Sequence, residues 1–384
     1  GLPIKVFFVV LIKSLEINMS FKISLQFTFA LLVFKMVSSQ TVEYTTNPRY
    51  VLGTLKEKKA SIDVGDIDND GDKDLIVANG RHWPGQNRVF LNNGDGFFTL
   101  SKPLGNQRDT SYSTELADFD NDGDLDVAVG NDKAPNFIYF NDGNGNFSRG
   151  NSFGNTNAPT RSLVVSDIDE DGDMDIIITN RRAENEICLN DGFGSFASSI
   201  GFGLKQDSTI DVEVSDMNRD GYKDLILANR DAQQNYVYLN DGNLNFKTKI
   251  PFGSGKDNTR SVELSDLNQD GFKDIVTANI GEANSIYFGN SDGTYNDSIE
   301  FDSNLDDSYA LAVGDLDLDG DTDIAVGNAR AINCIFINDG EGRNWKKKLL
   351  SNKKFLTYDI LIIDLNADGK PEIIESNSDE KNFY

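Results

Sequence analysis

Asp66-Ile67-Asp68-Asn69-Asp70-Gly71-Asp72-Lys73-Asp74 is the stretch that decides the fold, because its pattern returns beginning at Asp118, Asp167, Asp216, Asp266, Asp315 and Asp364. The spacings are 52, 49, 49, 50, 49 and 49 residues, so one supersecondary unit repeats along the chain. Each unit keeps one order around this acidic stretch. A short alternating segment comes first (Ser261-Val262-Glu263-Leu264-Ser265), and an apolar β-branched run follows the acids (Asp274-Ile275-Val276-Thr277-Ala278-Asn279). A third segment carries aromatic residues (Ser285-Ile286-Tyr287-Phe288). Then comes a turn such as Asp142-Gly143 or Asp241-Gly242, and a fourth segment with Phe or Tyr. These are four strands bounded by turn chemistry, and no window shows a helical period. Four-stranded units of about 40 to 50 residues stacked radially make a β-propeller. The expected fold is therefore all-β, a seven-bladed β-propeller of four-stranded blades with acidic loops between first and second strands.

The ends bear on closure. Tyr44 to Gly53 matches the fourth-strand segment of other units, as in Phe246 to Gly253, and Asn382-Phe383-Tyr384 lies partway through a third strand. An N-terminal strand that joins a C-terminal blade would remove the free sheet edges that invite aggregation. Residues 41–384 are thus expected to form a single propeller closed by 44–53, with its C-terminus truncated. Residues 1–40 read differently. Met19, Lys22, the apolar run Ile23 to Phe34 and the small residues Val37-Ser38-Ser39 form an export signal with cleavage near Gln40, and residues 1–18 lie upstream of it. A second apolar run, Val6 to Ile12, raises a membrane anchor as the alternative, but each run is shorter than the roughly 20 residues a span needs. The mature chain is expected to be secreted or at the cell surface, with no membrane span.

Composition narrows the partners. The 384 residues carry 36 Lys+Arg against 62 Asp+Glu, a formal charge of −26, which argues against nucleic acid because that affinity comes from cations set on phosphates. With 38% apolar residues the chain can build a core. Two cysteines, Cys188 and Cys334, fall in blades three units apart and read as buried small apolar residues, so something other than a disulfide must staple the ring.

The acidic loops offer oxygen at positions 1, 3, 5 and 9, Gly at 6 for a sharp turn, and the backbone carbonyl of residue 7. Ca²⁺ takes 6 to 8 oxygens in flexible geometry, whereas Mg²⁺ demands a tighter octahedron and ranks second. Zinc has no Cys or His cluster to hold it. An EF-hand is rejected, since no Glu stands at position 12 and a strand follows. The first three expected sites are Asp66, Asp68, Asp70, Asp72 and Asp74; Asp118, Asp120, Asp122, Asp124 and Asp126; and Asp167, Asp169, Asp171, Asp173 and Asp175. The fourth and fifth carry Asn at position 3: Asp216, Asn218, Asp220, Tyr222 and Asp224, then Asp266, Asn268, Asp270, Phe272 and Asp274. Asp315, Asp317, Asp319, Asp321 and Asp323 form the sixth, and Asp364, Asn366, Asp368, Lys370 and Glu372 the seventh. More carboxylates bind more tightly, so the Asn-containing loops should be the weaker ones. The simpler reading, Asp/Asn-Gly turns held by side-chain to backbone bonds, leaves the repulsion among four or five carboxylates unrelieved. Up to seven structural Ca²⁺ ions would reduce the net charge to about −12.

These residues, the period and the four-strand order resemble the FG-GAP and VCBS repeats of integrin-α-like propellers, over about residues 44 to 384. The resemblance implies the propeller fold and calcium in the loops. For function it implies only a range, from adhesion and carbohydrate-binding modules to polysaccharide lyases, and no integrin role follows.

A ligand is expected on the face opposite the acidic loops, where second-to-third loops and interblade connections meet the channel mouth. The loop Gly80-Arg81-His82-Trp83-Pro84-Gly85-Gln86 is longer than the step in most units, and it holds the only histidine and one of two tryptophans. Arg81, His82 and Trp83 are therefore candidate ligand-binding residues, against the simpler reading that Trp83 caps a blade. Six positions before each acidic loop stand Ala60, Tyr112, Arg161, Ile210, Arg260, Tyr309 and Tyr358, expected to ring the mouth. Tyr and Arg there suit stacking on sugars and pairing with carboxylates or sulfates.

Two function classes follow. The first is a noncatalytic module for a glycan or an extracellular protein. The second is a lyase on anionic polysaccharide, in which Arg161 or Arg260 neutralises a uronate and His82, Tyr112, Tyr309 or Tyr358 moves the proton.

Overall fold

The run after each acidic loop is buried along its whole length in the first six units, from Asp74–Asn79 through Asp274–Asn279 to the start of Asp323–Ala331. A strand buried on both faces must lie inside a sheet that is itself packed between sheets. The computed structural model, which describes Tyr44, Val51, Leu52 and residues 55–384, shows this arrangement. Its larger compact unit is Glu43–Leu316 with Gly320–Tyr384, and a second comprises Gly1–Val42 and Asp317–Asp319. The export signal expected within residues 1–40 lies outside the described residues.

The chain is an all-β propeller with four-stranded blades. Six blades span residues 59–103, 111–153, 160–202, 209–257, 259–302 and 308–349, and in each the four strands pair antiparallel in chain order. In the fifth, Thr259–Ser265 pairs with Asp274–Asn279, then Asn284–Tyr287, then Ser298–Asp302. The expected count of seven is corrected to six. The seventh repeat forms a hairpin, Phe355–Ile363 with Glu372–Asn377, and Asn382–Phe383 pairs with Val51–Leu52 in a separate two-stranded ladder.

The hairpin nevertheless closes the ring. Ile360 and Ile373 pack with Ala312, Ala325, Ile335 and Ile337 of the sixth blade. On the other side, Leu365 and Ile374 pack with Leu52, Ile62, Leu75, Val77 and Phe90 at the first blade. The other core clusters likewise join a blade to its neighbour, as in Val276, Ile286 and Phe288 against Leu311, Ile324 and Val326. Both cysteines are free and buried.

What staples the blades is a polar belt. At each successive junction an Asn at the start of a third strand donates to the Ser or Thr that opens the next blade. That hydroxyl donates in turn to the Asn ending its own second strand. Asn235 Nδ2 to Thr259 Oγ1 is 2.8 Å and Thr259 Oγ1 to Asn279 Oδ1 is 2.9 Å. The same pair of bonds links Asn87, Ser111 and Asn131. It recurs at Asn185, Thr209 and Asn229, at Asn284, Ser308 and Asn328, and at Asn333, Thr357 and Asn377. All these groups are buried, where a satisfied polar pair holds and an unsatisfied one costs about 1–3 kcal/mol.

Candidate functional site

Register places two faces at opposite ends of every blade. In the first, Gly65 pairs with Asp74 beside the acidic loop, and Lys59 pairs with Asn79 at the far end. Each first strand carries a bulge at that far end: the register jumps from Thr160 to Ser162, Thr209 to Asp211, Thr259 to Ser261, Ser308 to Ala310, Thr357 to Asp359 and Ser111 to Ser113. The skipped residues are Arg161, Ile210, Arg260, Tyr309, Tyr358 and Tyr112. A bulge re-aims a side chain out of the alternating pattern. Accordingly Ala60, Tyr112, Arg161, Arg260, Tyr309 and Tyr358 line one central chamber of about 300 Å³. Ile210 does not join them; it is packed away at 2% exposure.

The collar is built from cations on rings. The Arg161 guanidinium lies 4.3 Å from the centre of the Tyr112 ring, Arg260 5.7 Å from Tyr309, and Arg81 4.1 Å from Tyr358, while Tyr309 meets Tyr358 edge-on at 5.2 Å. His82 joins this collar to the long loop. Its Nδ1 is 2.7 Å from Asp132 Oδ2 and its Nε2 2.8 Å from the Tyr112 hydroxyl, so the partners favour Nδ1–H donating to the carboxylate and Nε2 accepting from the phenol. Arg161 donates to the other Asp132 oxygen at 2.8 Å. Burial would raise the Asp132 carboxyl, but the hydrogen bonds from His82 and Arg161 outweigh it and hold the group below its ordinary value. Asp132 escaped sequence reading. The only signal was an acid directly after Asn131, where other units place Arg181, Arg230 or Ile280.

The long loop is rigidly held. Arg81 N donates to Ser111 O, Gly85 and Asp109 exchange both backbone bonds, and Trp83 N returns to Gly80 O. Gly80 adopts φ 127°, and a Cβ there would meet Asp109 O at 2.4 Å, so only glycine allows this approach. Trp83 is left 54% exposed with the Lys58 ammonium 4.4 Å from its ring centre.

Below the collar the chamber turns acidic: Asp63, Glu115, Asp211, Glu213, Glu263 and Asp359 line it. Burial pushes Asp63 up to about 6, Asp359 to about 7 and Glu213 to about 8, and lifts Glu115 and Glu263 well above the carboxylate range. Asp63, Asp359 and Asp211 each accept a backbone N–H from a neighbouring first strand, Leu116, Ile62 and Val262. The acidic residues are thus divided between the loop face and the channel, and burial holds those in the channel toward their neutral form.

On the loop face, position 1 accepts the N–H groups of positions 5 and 6, as Asp66 does from Asp70 and Gly71. Position 9 is a clamp. Asp74 accepts from Ile67 N and Asn92 N, and Asp126, Asp175, Asp224, Asp274 and Asp323 repeat the arrangement. Burial lifts Asp74, Asp175 and Asp224 to about 6 and Asp126 and Asp274 to about 7. Glu372 reaches Leu365 N with its longer side chain. Position 7 ties neighbouring loops together, since Asn69 donates to Asp124 and Asn121 to Asp173.

In each of three loops of the larger unit the acids draw together: among Asp66, Asp68 and Asp70, among Asp118, Asp120 and Asp122, and among Asp167, Asp169 and Asp175, every residue brings one oxygen within 4.8 Å of the other two. In these same loops Asp68 Oδ1, Asp120 Oδ1 and Asp167 Oδ1 are buried without a hydrogen-bond partner. Orphaned carboxylate oxygens facing other carboxylates fit a hard cation. The Asn loops differ: Asn218 donates to Asp220 at 2.8 Å and Asn268 to Asp270 at 3.0 Å, so each satisfies its own cluster. Among the described residues no helix is long and apolar enough to cross a membrane.

Known proteins share this architecture. The N-terminal domain of BBS1, solved in complex with ARL6, superposes with a TM-score of 0.59 at 12% identity, covering 88% of this chain and 94% of that one. A lectin from Agrocybe aegerita that recognises non-reducing terminal N-acetylglucosamine gives 0.55 at 22% identity, covering 78% and 82%. Raptor from Chaetomium thermophilum gives 0.57 at 12%, covering 90% of this chain and 29% of that one. At these identities the likeness is one of fold. No curated protein matches the sequence. The FG-GAP-like repeat model matches residues 66–129, 118–178, 167–227, 216–277, 266–326 and 315–374 in turn, so the chain belongs to the FG-GAP-like repeat family.

Proposed function

We propose that this protein is a calcium-stabilised, secreted or cell-surface binding module whose ligand is a glycan, taken at the channel mouth. The observation that carries the reading is the exposed Trp83, held by a rigid loop and coupled through His82 to a collar of Tyr and Arg. Aromatic faces with polar rims suit sugars, which present an apolar face and a hydroxyl edge. The fold-level likeness to a glycan-binding lectin is consistent with it. A glycan array probed with the full chain, followed by calorimetry on the best ligand, tests it. Trp83→Ala should abolish binding, and binding that survives this change would refute the site.

Calcium in the loops is supported by the orphaned oxygens of the Asp-type loops. Metal that binds only the folded chain stabilises it by linkage, about 2.7 kcal/mol for a site at a hundredfold excess over its Kd. Calcium titration should show uptake that Asp68→Asn reduces and Asn218→Asp increases; no response to either change would sink the assignment. Export is supported by the pattern from Met19 to Gln40, and N-terminal sequencing of secreted product checks it.

A second reading, a lyase on anionic polysaccharide, is favoured by one observation, the Asp132–His82–Tyr112 chain, which can draw a proton from the phenol. Ultraviolet absorbance of unsaturated product from ulvan, alginate or chondroitin decides it, and silence on all three alongside retained glycan binding leaves the noncatalytic module.

A further inference from the structure

Trp83 overlooks a corner whose charge departs from the rest of the molecule. In a chain of net charge −26, the cleft beside Trp83 and the wall behind it bring together Lys56, Lys58, Lys59, Arg81, Arg88 and Arg108, opposed by Glu57, Asp379 and Glu380. Glu57 is taken up by Arg88 at 2.9 Å, Glu380 by Lys56 at 2.8 Å, and Asp379 lies 3.5 Å from Lys58. The other three cations have no carboxylate within ion-pair distance among the described residues. Lys59 and Arg81 are buried, 2% and 6% exposed. Lys59 Nζ donates to the carbonyls of Asn377 and Glu380, Arg81 donates to Ser378 Oγ, and the Arg81 Nε–H finds no acceptor. Arg108 stands exposed at the rim, holding only Pro84 O. The cleft measures about 240 Å³; Lys56, Lys58, Trp83 and Arg108 line it together with the ion-paired Glu57 and Asp379. That is below the roughly 300 Å³ at which pockets for drug-sized ligands begin, a size for one sugar ring.

We infer that this cleft is a subsite for an anionic sugar ring, a uronate or a sulfated residue, which stacks on Trp83 and sets its anion toward Lys58 and Arg108. The inference rests on the glycan reading above and adds charge selection to it. Two buried cations without ion pairs keep the corner positive, and a rim guanidinium without a carboxylate is free to take a planar anion in a bidentate contact. Lys58 lies over the indole, so a sugar that stacks on that face takes the place of the ammonium and meets it at the edge of the ring. The source of the anion, carboxylate or sulfate, is the variable to be measured.

Calorimetry on the full chain with tetragalacturonate, its neutral methyl ester and a sulfated galactan tetrasaccharide separates the outcomes. A charged probe should bind about tenfold more tightly than the methyl ester at low salt and lose that advantage as salt rises, the scale expected of two exposed ion contacts. Lys58→Gln and Arg108→Gln should each weaken the charged probe about threefold and leave the ester unchanged. Trp83→Ala should remove binding of both, with Trp83→Phe retaining part of it as a control for folding. Preference for tetragalacturonate assigns carboxylate, and preference for the galactan assigns sulfate. Equal affinity for charged and neutral probes, lost in Trp83→Ala, would overturn the charge selection and leave the glycan reading standing. Binding that ignores all of these substitutions would overturn the subsite, and no binding by any probe would count against both readings.

Discussion

Six junctions between consecutive units and the one junction that closes the ring use different chemistry for the same task. Along the chain, Ser or Thr sits between two asparagines and satisfies both, as Thr259 does for Asn235 and Asn279. At the closing seam that position is Lys59. Its ammonium reaches past the asparagines to the carbonyls of Asn377 and Glu380, and Asn79 Oδ1 and Asn382 Nδ2 are left buried without partners. Burial lowers the Lys59 pKa to about 8 against the pull of Glu57, Glu380 and Asp379. The seam is therefore held by a buried cation, a two-stranded ladder and exposed ion pairs, where the other junctions close through Asn–hydroxyl–Asn hydrogen bonds, joined at the last of them by Glu375. The difference teaches that one hydroxyl per junction keeps this ring in register, and that its loss at the seam must be offset locally.

Four measurements would break or sharpen that contrast. The largest effect is expected from Thr259→Val, which keeps the shape and orphans two buried amides; urea unfolding should show a loss of about 2–5 kcal/mol, and a loss below 1 kcal/mol would mean the belt is not what binds the blades. Next is pH. Because the folded pKa of Lys59 lies below its unfolded value of 10.5, the unfolded chain holds more protons between about pH 8 and 10.5, and stability contributed by this group rises across that window. The wild type should gain at most about 3 kcal/mol over it relative to Lys59→Met, and parallel profiles would remove the buried-cation account. Third, Lys59→Thr restores the regular belt by giving Asn79 and Asn382 their missing hydroxyl. A gain of about 1 kcal/mol at pH 7 is expected, and a net loss would show that the latch to Asn377 and Glu380 outweighs the belt. The smallest effect is expected of Lys56→Ala, which removes an exposed pair with Glu380 and should cost under about 0.5 kcal/mol.

Much of this was legible in the chain. Strand order, loop position and the convergence of Tyr112, Arg161, Arg260, Tyr309 and Tyr358 follow from a 49-residue rhythm, since a repeated unit must put equivalent residues at equivalent radii. The blade count did not follow, because counting acidic loops counts hairpins, and a blade also needs the two outer strands that the last repeat lacks in consecutive chain. Asp132, Lys58 and Arg108 were missed for a different reason. Each lies outside the repeating positions and acquires meaning only from His82 or Trp83 beside it in space. Asp74 and its equivalents were read as ligands, and their role as clamps on two backbone N–H groups needed the position of Asn92, eighteen residues on.

By itself the sequence determined the all-β class, the repeating four-strand unit, the family and the acidic loops, because period and turn chemistry are local properties of the chain. Tertiary structure alone decided which groups hold the closing seam, which carboxylates are orphaned and which are satisfied, and where positive charge gathers in an acidic protein. Those depend on burial and on partners from units far apart in sequence, and no local pattern encodes them.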